Sequence, residues 1–327
     1  MSQHDYIISN APGATIRADL NNVLSAIATM NSGGTEPSVM YPYLLWMDTT
    51  TNQIKLRNAP NSAWIILGQI LNTELVITHE KGYLYGLTLS NHVTPDYLNI
   101  ASGEAANEYA TASRSVLQLP SAFVKRLDAT WAAGSGNGGR SSSVSLTNTT
   151  YHVHLIRVGG TDDIGFDTSP TAANLIADHA ATHYRCIGSI LRESGAIVGF
   201  VQDGDRFQRT SLVADVVTSD PGTNAVTRTV SIPTGRRLLW WGNVLIGGNV
   251  SSGVSGLFSD LSVTDEAPAA AGLRNIFATA AYLYAAGELY VYTNTSAQLR
   301  SRISASDGFT LLQMGTRGWI DPRGRNR

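Results

Sequence analysis

In the stretch "TIRADLNNVLSAIATMNSGG", the apolar residues Ile16, Leu20, Val23, Ile27 and Met30 recur at intervals of four, three, four and three. That is the spacing of a coiled-coil seam. It predicts a helix that Thr15 caps at its start and Gly33-Gly34 terminates. Two heptads are too short for an isolated helix to persist in water, so the seam needs neighbours. Copies of the same helix would supply them, or the strands of its own chain. The pattern then changes period. "LLWMDTTTNQIKLRNAPNSAWIILG" alternates apolar and polar positions around two turn-forming stretches, which predicts a short meander. Alternation places Leu44 and Trp46 on one face of the first strand, and Ile54 and Leu56 on one face of the second. A sheet this small exposes its edges and one apolar face, so residues 1–70 form a module that cannot complete a core alone.

Residues 71–210 read as a β-rich middle domain with one helix. "KGYLYGLTLSN", "YLNIASGEA", "YHVHLIRV", "DIGFDTS", "HYRCIGSILRE", "GAIVGFVQ" and "RFQRT" are strand-like and punctuated by Gly-Gly, Ser-Gly and Asp-Gly turns. "LPSAFVKRLDATWAAG" reads as the helix, with Phe123, Leu127 and Trp131 in register and Gly134 as its stop. Residues 211–327 are nearly all strand, from "LVADVVTS" to "FTLLQMG", at a spacing that suggests a β-sandwich or jelly roll. The fold class expected is therefore mainly β: a short N-terminal helix and meander, a mixed middle domain and a C-terminal sandwich.

Composition supports short strands and tight turns, since only 15% of residues are charged against roughly 25% in an average domain. The net charge of −2, with both signs interspersed, leaves no basic face to neutralise a phosphate backbone, so no nucleic-acid partner is expected. The opening residues lack the pattern of a signal peptide. The most apolar run, Ile276 to Tyr292, alternates like a hairpin broken at Gly287-Glu288, so neither export nor membrane insertion is expected. The single cysteine, Cys186, lies in a strand and reads as a small buried hydrophobe.

Candidate chemistry is sparse. "GSGNGG" has the letters of a dinucleotide fingerprint at Gly134, Gly136 and Gly139, but it follows the expected helix instead of opening one, so it reads as a turn. Asp162, Asp163 and Asp167 could form a hydrolytic carboxylate pair or serve as turn residues. His152 and His154 share one strand face about 7 Å apart. Two imidazoles are too few to hold a metal, but three symmetry-related copies would bring six. Trp240 and Trp241 are adjacent in a strand and must project to opposite faces. One ring enters the core; the other lies under a neighbouring subunit or is left as a platform for a sugar ring. No cofactor is expected, and no enzymatic motif is present.

"IRADLNNVLSAI", "WMDTTTNQIKLRNAPNSAWIILG" and the middle run "YHVHLI…GTDDIGFDTSP…YRCIGSI" together resemble tail fibres and fibre-like proteins of tailed bacteriophages. The resemblance covers about residues 5–70 and, less specifically, 80–210. It implies a non-enzymatic virion protein, a homotrimeric tail fibre or short spike that anchors by its N-terminus to phage tail proteins. Its tip would meet a bacterial surface glycan or protein receptor. A capsid-mounted head fibre or decoration protein, and a polysaccharide-degrading tailspike, are the alternatives. Under this resemblance Ile16, Leu20, Val23, Ile27, Met30, Trp46 and Trp64 are the anchoring and trimer-seam candidates. Trp240 and Trp241 are the receptor-contact candidates. The His-x-His spacing of His152 and His154 is similar to metal-chelating pairs along the axis of long tail fibres. The basic end, with Arg323, Arg325 and Arg327, is expected to be solvated or to thread between subunits onto acidic turns.

Overall fold

A computed structural model describes residues 3–71, 74–77, 82–109, 115–269, 272 and 274–325. Strands hold 47% of the chain and helices 8%, so the fold is mainly β, as the alternating pattern predicts. Two compact units form, Met1–Lys81 with Ala112–Val116, and Gly82–Thr111 with Leu117–Arg327.

In the first unit a helix spans Gly13–Ala28. It begins directly after Pro12, whose extended backbone (φ −53°, ψ 144°) is the last non-helical residue and whose carbonyl accepts the Thr15 N–H at 2.8 Å. Thr15 is therefore inside the first turn and caps nothing. The helix ends where Met30 and Asn31 take left-handed backbone (φ 50° and 52°), ahead of Gly33-Gly34. Leu45–Asp48, Gln53–Arg57, Trp64–Leu71 and Glu74–Ile77 then make a four-stranded antiparallel meander.

The acid-threonine turn of this meander has a direct physical cause. The Asp48 carboxylate accepts from the Thr50 N–H (2.9 Å), the Thr51 hydroxyl (2.8 Å) and the Lys55 ammonium (2.6 Å). Burial pushes Asp48 up, but the Lys55 and threonine donors together outweigh it and hold the carboxyl below its ordinary value. At the next turn the Asn58 side chain accepts the Ser62 and Ala63 N–H groups, while Arg57 donates to Asn61.

In the second unit the middle and C-terminal stretches share one core. Leu87, Leu98, Tyr151, Phe166 and Ile190 belong to the same buried cluster as Phe207, Trp240, Phe258, Leu299 and Trp319. The Phe207 and Trp319 rings stack at 5.4 Å. The boundary expected at 210 falls inside a single strand, Arg206–Ser219, which is why that cut in composition is not a cut in the fold.

An eight-stranded sheet runs in the order Ala196–Ile197, His183–Glu193, Thr150–Val158, Thr161–Asp167, Gly138–Arg140, Phe123–Thr130, Tyr97–Ile100, Leu89–Asn91. Val158 pairs with Thr161 across Gly159-Gly160, both at positive φ (58° and 83°), the backbone that a two-residue hairpin turn of this hand requires. Phe123–Thr130 is a strand in this sheet, which corrects the helix expected there. Residues four apart share a face in either element, so Phe123 and Leu127 fit both periods, and Lys125 between them on the same face is fully buried. A second helix, Ala173–His179, was not expected. Its first N–H groups, from Asn174 and Leu175, are accepted by Asp167 at 2.9 and 3.1 Å from seven and eight residues upstream, beyond the reach of a local capping signal.

The last part is sandwich-like. One antiparallel sheet is ordered Phe200–Asp203, Arg206–Ser219, Leu311–Ile320, Leu239–Gly248, Leu283–Tyr292; the other is Val226–Thr229, Gln298–Ile303, Val254–Ser259, Ile276–Ala278. Alternate residues of both, such as Trp240, Val244 and Met314 against Phe258, Leu299 and Ile303, fill one interior. The run expected to break at Gly287-Glu288 breaks instead near Tyr282, which has positive φ, and Gly287 sits mid-strand. Ile276–Ala278 and Leu283–Tyr292 belong to different sheets, so the run is a crossing between them and not a hairpin. Among the described residues no helix is long and apolar enough to cross a membrane.

The basic end is docked on its own chain. Arg323, only 4% exposed, meets Asp205 at 3.1 Å, and Arg325 meets the same carboxylate at 2.6 Å. Asp205 lies in the turn after Phe200–Asp203, so the acidic turn that the arginines find is intramolecular. Arg327, and Lys81 of "KGYLYG", lie outside the described residues.

Candidate functional site

The first unit is the strongest candidate, because of what it fails to bury. Among its described residues the buried non-polar side chains are Ala26, Pro37, Trp46 and Val116. The helix half-buries Ile16, Asp19 and Val23 along the line that ends at Ala26, and His4 holds Asp19 at 2.7 Å. Leu20, Leu24 and Ile27 lie on another line and are 45%, 61% and 58% exposed, with Met30 at 40%. The expected seam is thus split. Ile16 and Val23 turn toward the chain, and the open stripe runs through Leu20, Ile27, Met30 and a residue outside the heptad positions, Leu24.

The meander has a second open surface. Register aligns Leu45 with Leu56 and Leu56 with Ile65, a row of three aliphatic side chains across the sheet, with Leu45 and Ile65 exposed. The opposite face carries Trp46, Lys55, Arg57 and Trp64. The Trp46 and Trp64 rings lie 5.1 Å apart, Lys55 sits 4.6 Å over Trp46, and Arg57 sits 5.1 Å over Trp64. Trp46 donates to the Gly33 carbonyl at 3.2 Å and Trp64 to Glu36 at 3.0 Å. Both tryptophans are therefore spent inside the module, stapling the post-helix segment to the sheet. Trp46 is buried by these contacts, whereas Trp64 stays half-buried. The apolar surface left open on the sheet is the aliphatic row, and the alternation of "LLWM" and "QIKLR" carries its signal.

In the second unit the histidine pair lies on one strand face as the spacing predicts, with ring centroids 6.4 Å apart. Both side chains are fully buried. His152 Nδ1 pairs with Ser189 Oγ at 3.0 Å, and His154 Nε2 with the Ser169 carbonyl at 3.1 Å. Imidazoles enclosed this way within one chain cannot meet copies on a shared axis, so the metal expectation for His152 and His154 is overturned. The three aspartates are equally engaged. Asp162 pairs with Arg157 at 2.6 Å, Asp163 with buried Lys125 at 2.9 Å, and Asp167 receives the second helix. Gly134 and Gly136 form a left-handed turn whose Gly134 N–H donates to Asp163 at 2.7 Å. Cys186 is fully buried, and burial pushes its thiol up to about 11, which leaves no thiolate for nucleophilic chemistry near neutral pH.

Asp178, on the second helix, is an exposed carboxylate with a marked shift. The Ser141 hydroxyl (2.5 Å), the Ser143 N–H (2.7 Å) and the Ser143 hydroxyl (2.7 Å) all donate to it, and they bring its pKa down to about 2. The folded value lies below the ordinary 3.8, so this group favours folding above that pH and loses the contribution as pH falls toward about 2. Ser141→Ala should raise the Asp178 titration toward 3.8, read by carboxyl carbon NMR. An unmoved midpoint would show that the serine is not the cause.

Trp240 and Trp241 do project to opposite faces. Trp240 enters the core and donates to Thr316 at 2.7 Å. Trp241 faces outward yet is only 1% exposed, because Arg206 lies 3.6 Å and Arg317 5.1 Å from its ring centroid and Tyr290 stacks beside it at 6.1 Å. Neither indole is left open, so Trp240 and Trp241 are corrected as receptor contacts. The exposed aromatics of this face are Tyr284, Tyr290 and Tyr292, which alternate along Leu283–Tyr292. Their signal was the period-two spacing in "YLYAAGELYVY", masked by reading that run as a hairpin. No protein-family model matches the chain, and no curated protein matches it.

Proposed function

We propose that this chain is a structural attachment protein of a tailed-phage particle: a fibre or short spike, trimeric, that anchors through residues 1–70 and presents its β-rich second unit to the bacterial surface. The observation that carries this reading is the first unit, which keeps its tertiary arrangement through hydrogen bonds and ring contacts while leaving a helical stripe and a sheet row of aliphatic side chains in water. A helix of 16 residues and a meander leave such surfaces open at a cost in hydration free energy. Contact with sister chains and with a particle protein recovers it. Multivalent binding then converts weak single contacts into firm adsorption, with no chemistry at the tip.

Deletion of residues 1–70 tests the anchor. The buried cluster of the second unit uses no residue before Leu84, so the truncated chain should remain folded by circular dichroism and be absent from purified particles. Truncated chain co-purifying with particles at the full-length level would refute the anchoring role.

A further inference from the structure

The second unit contains a cleft of about 440 Å³ whose lining includes Asp205, Arg236, Arg237, Tyr292, Ile320 and Asp321. Its size suits a small organic ligand. The charged groups around it are unusual in their pairing. Arg236 is only 5% exposed, and it approaches Glu108 at 4.0 Å and Asp321 at 3.7 Å. Neither of its terminal nitrogens donates a hydrogen bond among the described residues. A buried guanidinium normally closes its fork on planar acceptors, whereas this one faces two carboxylates at ion-pair distance without closing on either. Arg237, at the mouth, engages Asp260 and lies 4.1 Å over the ring of Tyr292, which is 47% exposed.

The two carboxylates of the lining do not oppose an incoming anion. Asp205 is held by Arg323 and Arg325, and Asp321 accepts from the Ser189 hydroxyl (2.8 Å) and the Arg323 N–H (2.9 Å). They remain acceptors for hydroxyl groups. The wall between these polar ends is non-polar, made by Tyr292, Leu239, Ile320 and Pro322. A guanidinium pair, an aromatic face and spare carboxylate acceptors match three features of one ligand class: an acid group, a ring with a C–H face, and several hydroxyls. A phosphate ion uses only the first.

We propose that this cleft binds a sugar that carries a carboxylate, its acid group meeting the exposed Arg237 with the buried charge of Arg236 behind it, its ring against Tyr292 and its hydroxyls toward Asp205. That such a sugar belongs to a host surface rests on the attachment reading above; the binding itself does not.

The test is calorimetric titration of the full-length chain with glucuronic acid and N-acetylneuraminic acid, with glucose, galactose and inorganic phosphate as comparisons. At least one acidic sugar should bind roughly tenfold more tightly than the neutral sugars and phosphate, a difference expected from one charge-assisted fork. Arg237→Gln and Tyr292→Ala, both at exposed positions, should each weaken it about tenfold with unchanged melting temperature. Equal binding of neutral sugars, equal binding of phosphate, unaffected binding in both exposed variants, or no binding of either acid would each overturn the proposal. Particle incorporation is measured separately, so a failure of the anchor and a failure of the cleft are told apart.

Discussion

Asp163→Ala is expected to destabilise the second unit by about 3–5 kcal/mol, seen as a large drop in the midpoint of urea unfolding. The Lys125 side chain is fully buried in the eight-stranded sheet. Its ammonium meets Asp163 at 2.9 Å, donates to the Ala132 carbonyl at 2.8 Å and lies 5.6 Å from the Trp131 ring centroid. Asp163 in turn accepts the Gly134 N–H at 2.7 Å and the Ile164 N–H at 2.6 Å. Removing the carboxylate strands a cation in the sheet and releases the Gly134 turn.

Two controls separate these losses. Adding Lys125→Met removes the stranded charge while keeping the apolar stem, so the double variant should recover part of the loss. Burial lowers the Lys125 pKa, and Asp163 opposes that shift, so without Asp163 the group titrates lower still. A lysine whose folded value lies below its unfolded 10.5 makes stability rise with pH between the two, because the unfolded chain binds more protons there. The deficit of Asp163→Ala should therefore shrink from about pH 7 to about pH 9. A deficit that neither Lys125→Met nor higher pH reduces would place the cost in the loop alone.

The double substitution Leu24→Glu and Ile27→Glu should abolish self-association of the full-length chain in sedimentation experiments. Leu24 and Ile27 are 61% and 58% exposed, on the stripe that the second unit's core does not use. Burying each in a seam between copies would contribute about 1.5–3 kcal/mol. Glutamates in the same places would bring like charges together in an apolar contact. The melting temperature of the second unit should not change, because neither residue touches its core. A wild-type chain that sediments as a monomer, or a variant that keeps the wild-type mass, would remove the helix from the assembly.

Local pattern was sufficient for the elements whose signal is periodic or tied to turn chemistry. The helix around Leu20, the "DTTTN" turn and most strands of the second unit were readable, because a short run of residues decides each of them. So was the incompleteness of the first seventy residues, since a two-heptad stripe and a small sheet have too few apolar positions to enclose one another. Phe123–Thr130 was misread because a four-residue spacing satisfies helix and strand alike. The strand goes with pairing to Tyr97–Ile100 and with the buried ion pair between Lys125 and Asp163, thirty-eight positions apart, neither of which is local in sequence.

What tertiary structure alone decided is which side chains remain open to a partner. Adjacent tryptophans in a strand had to face opposite ways, but the guanidinium groups that cover Trp241 come from Arg206 and Arg317, on two other strands. Likewise Trp46 looked available until register set Lys55 beside it and Gly33 beneath its indole. The cleft at Arg236 gathers residues from four separated stretches of the chain, between Asp205 and Gly324. Sequence by itself determined where strands, turns and the unfinished N-terminal module lie, because those depend on neighbours in the chain. Burial, charge pairing and exposure depend on neighbours in space, so only the fold could turn a seam into a split stripe and dock a basic tail on Asp205 of its own chain.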